Sequence, residues 1–158
     1  QTVLAAEVFH ARALLFAEEM TGIVKVVVPF PPDSNLVCLV LNPWSNRSVI
    51  RMNAFMGQLQ EELRSDPRHP LQFKEFLSSG TTLRPEVIGA SEAGRLLAAL
   101  GLDPDSLEAG DSESDRLKLL RHTLMNPYLV DHENGISYID LYFEYLARRV
   151  RELVGAPV

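Results

Sequence analysis

The chain has one cysteine, one tryptophan and no apolar run of bilayer length. A lone Cys38 has no intrachain disulfide partner. It lies within the apolar stretch LVCLVL at 36–41, so it is expected as a small buried hydrophobe, not a reactive thiol. A reducing cytoplasm is the compartment that fits. The absence of roughly 20 consecutive apolar residues excludes a membrane-spanning helix. Positive charge is also short. Fifteen Lys and Arg stand against 21 Asp and Glu, a net charge of -6, which argues against nucleic acid as a partner. No pair of histidines is spaced four apart for a metal, and there is no Gly-x-Ser-x-Gly elbow and no glycine-rich phosphate loop. His10, His69, His122 and His132 are scattered, and Lys25, Lys74 and Lys118 are isolated. These residues form no self-sufficient catalytic constellation. No catalytic residue, cofactor ligand or metal ligand is expected in this chain.

What is present is ordinary globular composition, 46% hydrophobic and 23% charged over 158 residues, enough for one domain with a sizeable core. Residues 2–21 read as a helix with two adjoining apolar stripes, one of Leu4, Val8, Ala11 and Leu15, the other of Phe9, Ala13, Phe16 and Met20. Gly22 stops it. The β-branched run 23–29 and the apolar run 36–41 are strands, joined by a short proline-bearing turn and therefore antiparallel neighbours. Residues 48–65 are helical, and 66–70 end that helix. Residues 71–83 read as strand with a break at Gly80, continued by 84–89. Ser91 caps a short helix that Gly101 ends. The acidic 103–115 segment is a solvated loop whose carboxylate spacing fits no calcium loop. Residues 116–125 are a strand. Residues 136–154 are the last helix, with Ser137 as N-cap and Asp140 three residues on. Strands and helices do not alternate regularly. The fold class expected is therefore α+β, a mainly antiparallel sheet of three to four strands with helices packed on one face.

The stretch LLRHTLMNP at 119–127 carries one arginine inside an apolar strand. Leu119, Arg121 and Thr123 share one face, and Leu120, His122 and Leu124 share the other. A permanent charge there needs an anion or a wet face. Two readings stand at this level: a structural arginine at a sheet edge or in an interdomain salt bridge, or a carboxylate-binding arginine with its planar fork.

Three ordered blocks carry a resemblance: DSNLVC at 33–38, LSSGTTL at 77–83 and LLRHTLMNP at 119–127. Together they resemble the C-terminal small domain of group II pyridoxal-phosphate-dependent amino-acid decarboxylases, the glutamate, aromatic-amino-acid and tyrosine decarboxylase family. The resemblance covers most of the chain, with residues 84–115 standing out as an insertion in a single domain 1–158. It implies the small domain of a fold-type-I enzyme, cytoplasmic and homodimeric, acting on an amino acid. It also implies that Arg121 binds the substrate carboxylate. No His-Lys pair occurs, so the cofactor lysine of the family lies outside this chain. A chain that opens on Gln1 within a helical pattern reads as a piece of a longer polypeptide, inactive alone, whose own large domain holds pyridoxal 5'-phosphate. Two alternatives differ in class: a free-standing α+β binding module, and the small domain of another fold-type-I enzyme.

Overall fold

An 18-residue helix, α1 (Thr2–Glu19), opens the fold. The computed structural model describes residues 2–32, 34–64, 76, 78–111, 113–126, 129–131 and 133–156. Residues 66–70, most of 71–77, Asp33, Pro127 and His132, on which several expectations fall, lie outside the described residues. Of the two stripes on α1, only one meets the core. Phe9, Ala13, Phe16 and Met20 are buried, whereas Leu4 and Leu15 remain 61% and 54% exposed. Periodicity registers that both stripes are apolar but does not say which one finds a partner.

The sheet runs in the order β1-β2-β4-β3, and each neighbouring pair is antiparallel. Its strands are β1 (Val24–Val27), β2 (Leu36–Pro43), β3 (Ser79–Leu83) and β4 (Leu117–Thr123). The expected neighbours β1 and β2 pair directly, with Val26 opposite Leu41. Strand β2 extends past Leu41 to Pro43, and Asn42 is buried and saturated there. Its Nδ2 donates to the carbonyls of Asn46 and Leu100, both at 2.8 Å.

Helices α2 (Val49–Leu63) and α5 (Tyr138–Val154) join α1 on the face that carries Leu39, Leu41, Leu120 and His122. Gly80 does not break β3. It makes room for α2: a Cβ at Gly80 would come within 2.6 Å of Gln60 Cδ, and Gln60 Nε2 donates to the Leu119 carbonyl at 3.1 Å. Phe16, Met20, Leu39, Leu41, Met56, Phe143 and Leu146 fill the space between, each fully buried. Burial of side chains of this size stabilises by about 1.5–3 kcal/mol apiece. Ser137 caps α5 as expected, its Oγ accepting from Asp140 N at 3.2 Å.

The segment 84–115 departs most from the sequence reading. Residues 84–89 do not continue a strand. They form a one-turn helix, α3 (Pro85–Ile88), with Arg84 extended and Pro85 in the first turn. The fixed φ of proline suits that position, and its missing N–H is not needed there. Helix α4 (Ala90–Leu100) begins one residue before Ser91, which therefore lies inside the first turn and not at the cap. Gly101 ends α4 in the left-handed conformation at φ 68°. The acidic loop holds a 3-10 turn at Pro104–Ser106. It is tied down by Asn53, whose Nδ2 donates to the Glu113 and Arg116 carbonyls at 2.8 Å. Helix α4 lies on the second sheet face at its β1 end, where Asn42 reaches Leu100 and Lys25 folds over Gly101. The other end of that face, with Leu36, Ser79, Arg121 and Thr123, stays exposed.

Candidate functional site

Strand β4 presents its residues to two different surroundings in alternation. Arg121 stands opposite Cys38 of β2 and Ser79 of β3, so the three residues form one row across three strands on the exposed end of the second face. Because β4 is flanked on both sides, Arg121 is not at a sheet edge. The reading of an edge arginine is thereby corrected: the last strand in sequence to join the sheet is inserted between β2 and β3. Among the described residues, no carboxylate lies within 4 Å of its guanidinium. Its Nε donates to Ser79 Oγ at 3.1 Å. Ser79 Oγ donates in turn to the Arg121 carbonyl at 3.1 Å, and Ser78 Oγ donates to the same carbonyl at 3.0 Å. Cys38 is only half-buried, short of the full burial expected. Burial still pushes its thiol up, and the charge of Arg121 offsets part of that rise.

The next residue, His122, points the other way. It is buried among Phe9, Tyr142 and the β2 backbone. Nδ1 lies 3.3 Å from the Val37 carbonyl, and Nε2 lies 2.5 Å from Tyr142 Oη. A carbonyl only accepts, so Nδ1 carries the proton and Nε2 accepts from the Tyr142 hydroxyl. Both polar ends of the imidazole are thus satisfied in the neutral form. Loss of hydration drives the His122 pKa down to about 4, against a smaller opposing effect of the Val37 carbonyl. The same burial pushes the Tyr142 phenol well above its ordinary range.

Between the end of β4, the strand-entry residues of β3 and the start of α5 lies a cleft of about 360 Å³. Phe9, Phe76, Leu129, Tyr138 and Tyr142 give it an aromatic and apolar wall, and Arg121 and Ser79 also line it. A two-strand ribbon, β5 (Val130–Asp131) and β6 (Ile136–Ser137), closes the approach to α5 and brings Leu129 beside Tyr138. Its turn is set by Asp131, which accepts from the backbone N–H groups of Glu133 and Asn134, and by Gly135 at φ 67°. Neither described lysine serves this cleft. Lys25 Nζ donates to the Trp44 carbonyl at 2.8 Å, and Lys118 Nζ reaches toward Gly57 of α2. The described residues therefore offer no amine to a cofactor aldehyde. No group of three metal-ligating side chains occurs among them.

The family model described as "Tyrosine decarboxylase, C-terminal" matches residues 10–150. The chain belongs to that family. No curated protein matches it. The match spans β1 to β4, the cleft lining apart from Phe9, and α5 as far as Val150, so Arg121 and His122 both lie inside the tyrosine decarboxylase C-terminal domain. Mixed helix and antiparallel sheet agree with the α+β class read from the sequence. Sequence reasoning singled out Arg121 but missed Ser79, Phe9 and Tyr142. Tyr142 had a signal: it lies three residues after Ile139 on the buried side of α5, where a phenol needs a partner. Ser79 stands in the LSSGTTL block, but nothing in that block pairs it with Arg121, since only strand register places it there.

Proposed function

We propose that this chain is the C-terminal domain of a pyridoxal-phosphate-dependent amino-acid decarboxylase, and that Arg121 holds the carboxylate of the amino-acid substrate. The observation that carries this reading is an exposed guanidinium on an interior strand, lining an apolar cleft, with no carboxylate of the described residues to neutralise it. A carboxylate supplied from outside completes such a site, because the planar fork offers two parallel N–H donors to two oxygens. Residues 1–158 form one domain in this reading, with 84–115 as an insertion that covers the second sheet face at its β1 end. The parent is a cytoplasmic homodimer. Pyridoxal 5'-phosphate bound by its large domain supplies the electron sink for carbon dioxide release. This domain contributes a charge to bind and orient the substrate, and an apolar wall that excludes water from the cleft. On its own the chain releases no carbon dioxide.

The test is Arg121→Ala in the full-length enzyme, with carbon dioxide release from L-tyrosine as the assay. The loss of a charge-assisted contact should cost on the order of 1.5–3 kcal/mol in kcat/KM, mainly through KM, with cofactor absorbance unchanged. An unaltered kcat/KM would sink the role given to Arg121.

A further inference from the structure

Among the described residues, the cleft arginine is held by a serine hydroxyl and not by an acid. We propose that Ser79 is a positioning residue that fixes Arg121 so that it receives a carboxylate end-on, through its two terminal nitrogens. This rests on the carboxylate role of Arg121 and adds to it how the guanidinium is aimed.

Three features of the geometry lead there. First, Ser79 Oγ lies 3.1 Å from Arg121 Nε and 3.1 Å from the Arg121 carbonyl, so one hydroxyl ties the two ends of the same residue together. A hydroxyl donates once and can accept besides, and both capacities are used here. A long arginine side chain with several free torsions is thereby held in one rotamer before any ligand arrives. Less conformational entropy remains to be lost on binding. Second, an arginine can meet a carboxylate along its side, through Nε and one terminal nitrogen, or at its end, through both terminal nitrogens. With Nε given to Ser79, the side approach is closed, and among the described residues the end stays open. Third, the partner is neutral. A carboxylate in the place of Ser79 would pair with the guanidinium and compete with the substrate, whereas a hydroxyl orients the charge without neutralising it.

Ser78 supplies an internal comparison. Its hydroxyl also donates to the Arg121 carbonyl, at 3.0 Å, but it makes no bond to the guanidinium. With Ser79 removed, the carbonyl keeps a donor and the strand pairing of β3 with β4 is retained, so Ser79→Ala acts on the guanidinium and not on the fold.

The experiment is a double-mutant cycle in the full-length holoenzyme with L-tyrosine as substrate. Ser79→Ala should lower kcat/KM by about tenfold, the scale of one hydrogen bond, with the change in KM. Ser79→Thr, which keeps the hydroxyl, should recover most of it. In the Arg121→Ala background, Ser79→Ala should cost nothing further, because the residue acts only through the guanidinium. The Ki of 3-(4-hydroxyphenyl)propanoate, which keeps the carboxylate, should rise in Ser79→Ala, and that of tyramine, which lacks it, should not. An equal loss from Ser78→Ala, or an additive loss in the Arg121→Ala background, overturns the proposal. If Arg121→Ala lowers kcat/KM while Ser79→Ala leaves it unchanged, the positioning role fails alone. If Arg121→Ala itself has no effect, the carboxylate reading fails and the positioning role with it.

Discussion

Arg121 and His122 are consecutive on one strand, and they are treated in opposite ways. The first is a permanent cation left at the surface, with one neutral hydroxyl against its Nε. The second is a titratable base that the core keeps uncharged, with a partner on each nitrogen. Strand alternation alone separates them, since neighbouring side chains leave a sheet on opposite faces. A polar residue whose bonding is complete inside the protein serves the fold. A charged residue whose bonding is incomplete is available to something outside it. On β4 the two cases can be compared with the same backbone and the same neighbours in sequence.

The largest test of that contrast is His122→Ala. It removes a buried ring and strands the Tyr142 hydroxyl without an acceptor, so a loss of about 3 kcal/mol or more in unfolding free energy is expected. Arg121→Ala should stay within about 0.5 kcal/mol, as surface changes do. Denaturant unfolding of the two variants measures both. Comparable losses would break the comparison, since Arg121 would then be structural as well.

A second test uses pH. The unfolded imidazole takes up its proton near 6.5 and the folded one only near 4. Between those values the unfolded chain binds more protons, so stability rises with pH through this window. The contribution of His122 is complete above 6.5 and is lost as the pH falls toward 4, by on the order of 3 kcal/mol. Asp103 and Asp115, held below the usual carboxylate range by Arg47 and Arg116, also lose their pairing in acid. The effect of His122 is therefore read as the difference between wild type and His122→Gln in thermal midpoint from pH 7 to 4. Parallel curves would show that His122 is solvated and not sealed.

A smaller effect is expected from Tyr142→Phe, which keeps the ring contacts with Phe9, Phe76 and Phe143 and deletes only the donor to Nε2. The cost should be about 1–2 kcal/mol, that of one buried acceptor left unsatisfied. The His122 pKa should then rise, because water has easier access to Nε2, and histidine NMR titration would detect it. An unchanged titration would assign the depressed pKa to burial alone.

How much of this was legible in the sequence follows from the range of each signal. The alternation of 119–123 and the capping of α5 by Ser137 are local, and both are realised in the structure. The continuation of strand into 84–89 failed because Pro85 fits a helix start as well as an extended segment, and tertiary placement decides between them. The row Cys38, Arg121, Ser79 depends on two strand registers at once, and the His122–Tyr142 bond joins a strand to a helix 20 residues away. Neither is written in any single segment. The charge that needs a partner is visible in the chain, and the partner itself is not.

The smallest predicted effect repeats the β4 contrast on a helix. Leu15 and Phe16 are neighbours on α1, the first 54% exposed and the second fully buried. Helical period offered both as core positions, and packing against α5 and the sheet used only one. Leu15→Gln should therefore change the stability of the chain by less than about 0.5 kcal/mol, while Phe16→Ala should cost about 3–5 kcal/mol. Thermal unfolding at two protein concentrations measures the pair. A loss above about 1 kcal/mol for Leu15→Gln that shrinks on dilution would mean that the outer stripe of Leu4, Val8 and Leu15 is covered by a second copy in solution. The exposure on α1 would then be like that of Arg121, a surface completed from outside, and not like that of an isolated apolar residue on an ordinary protein surface.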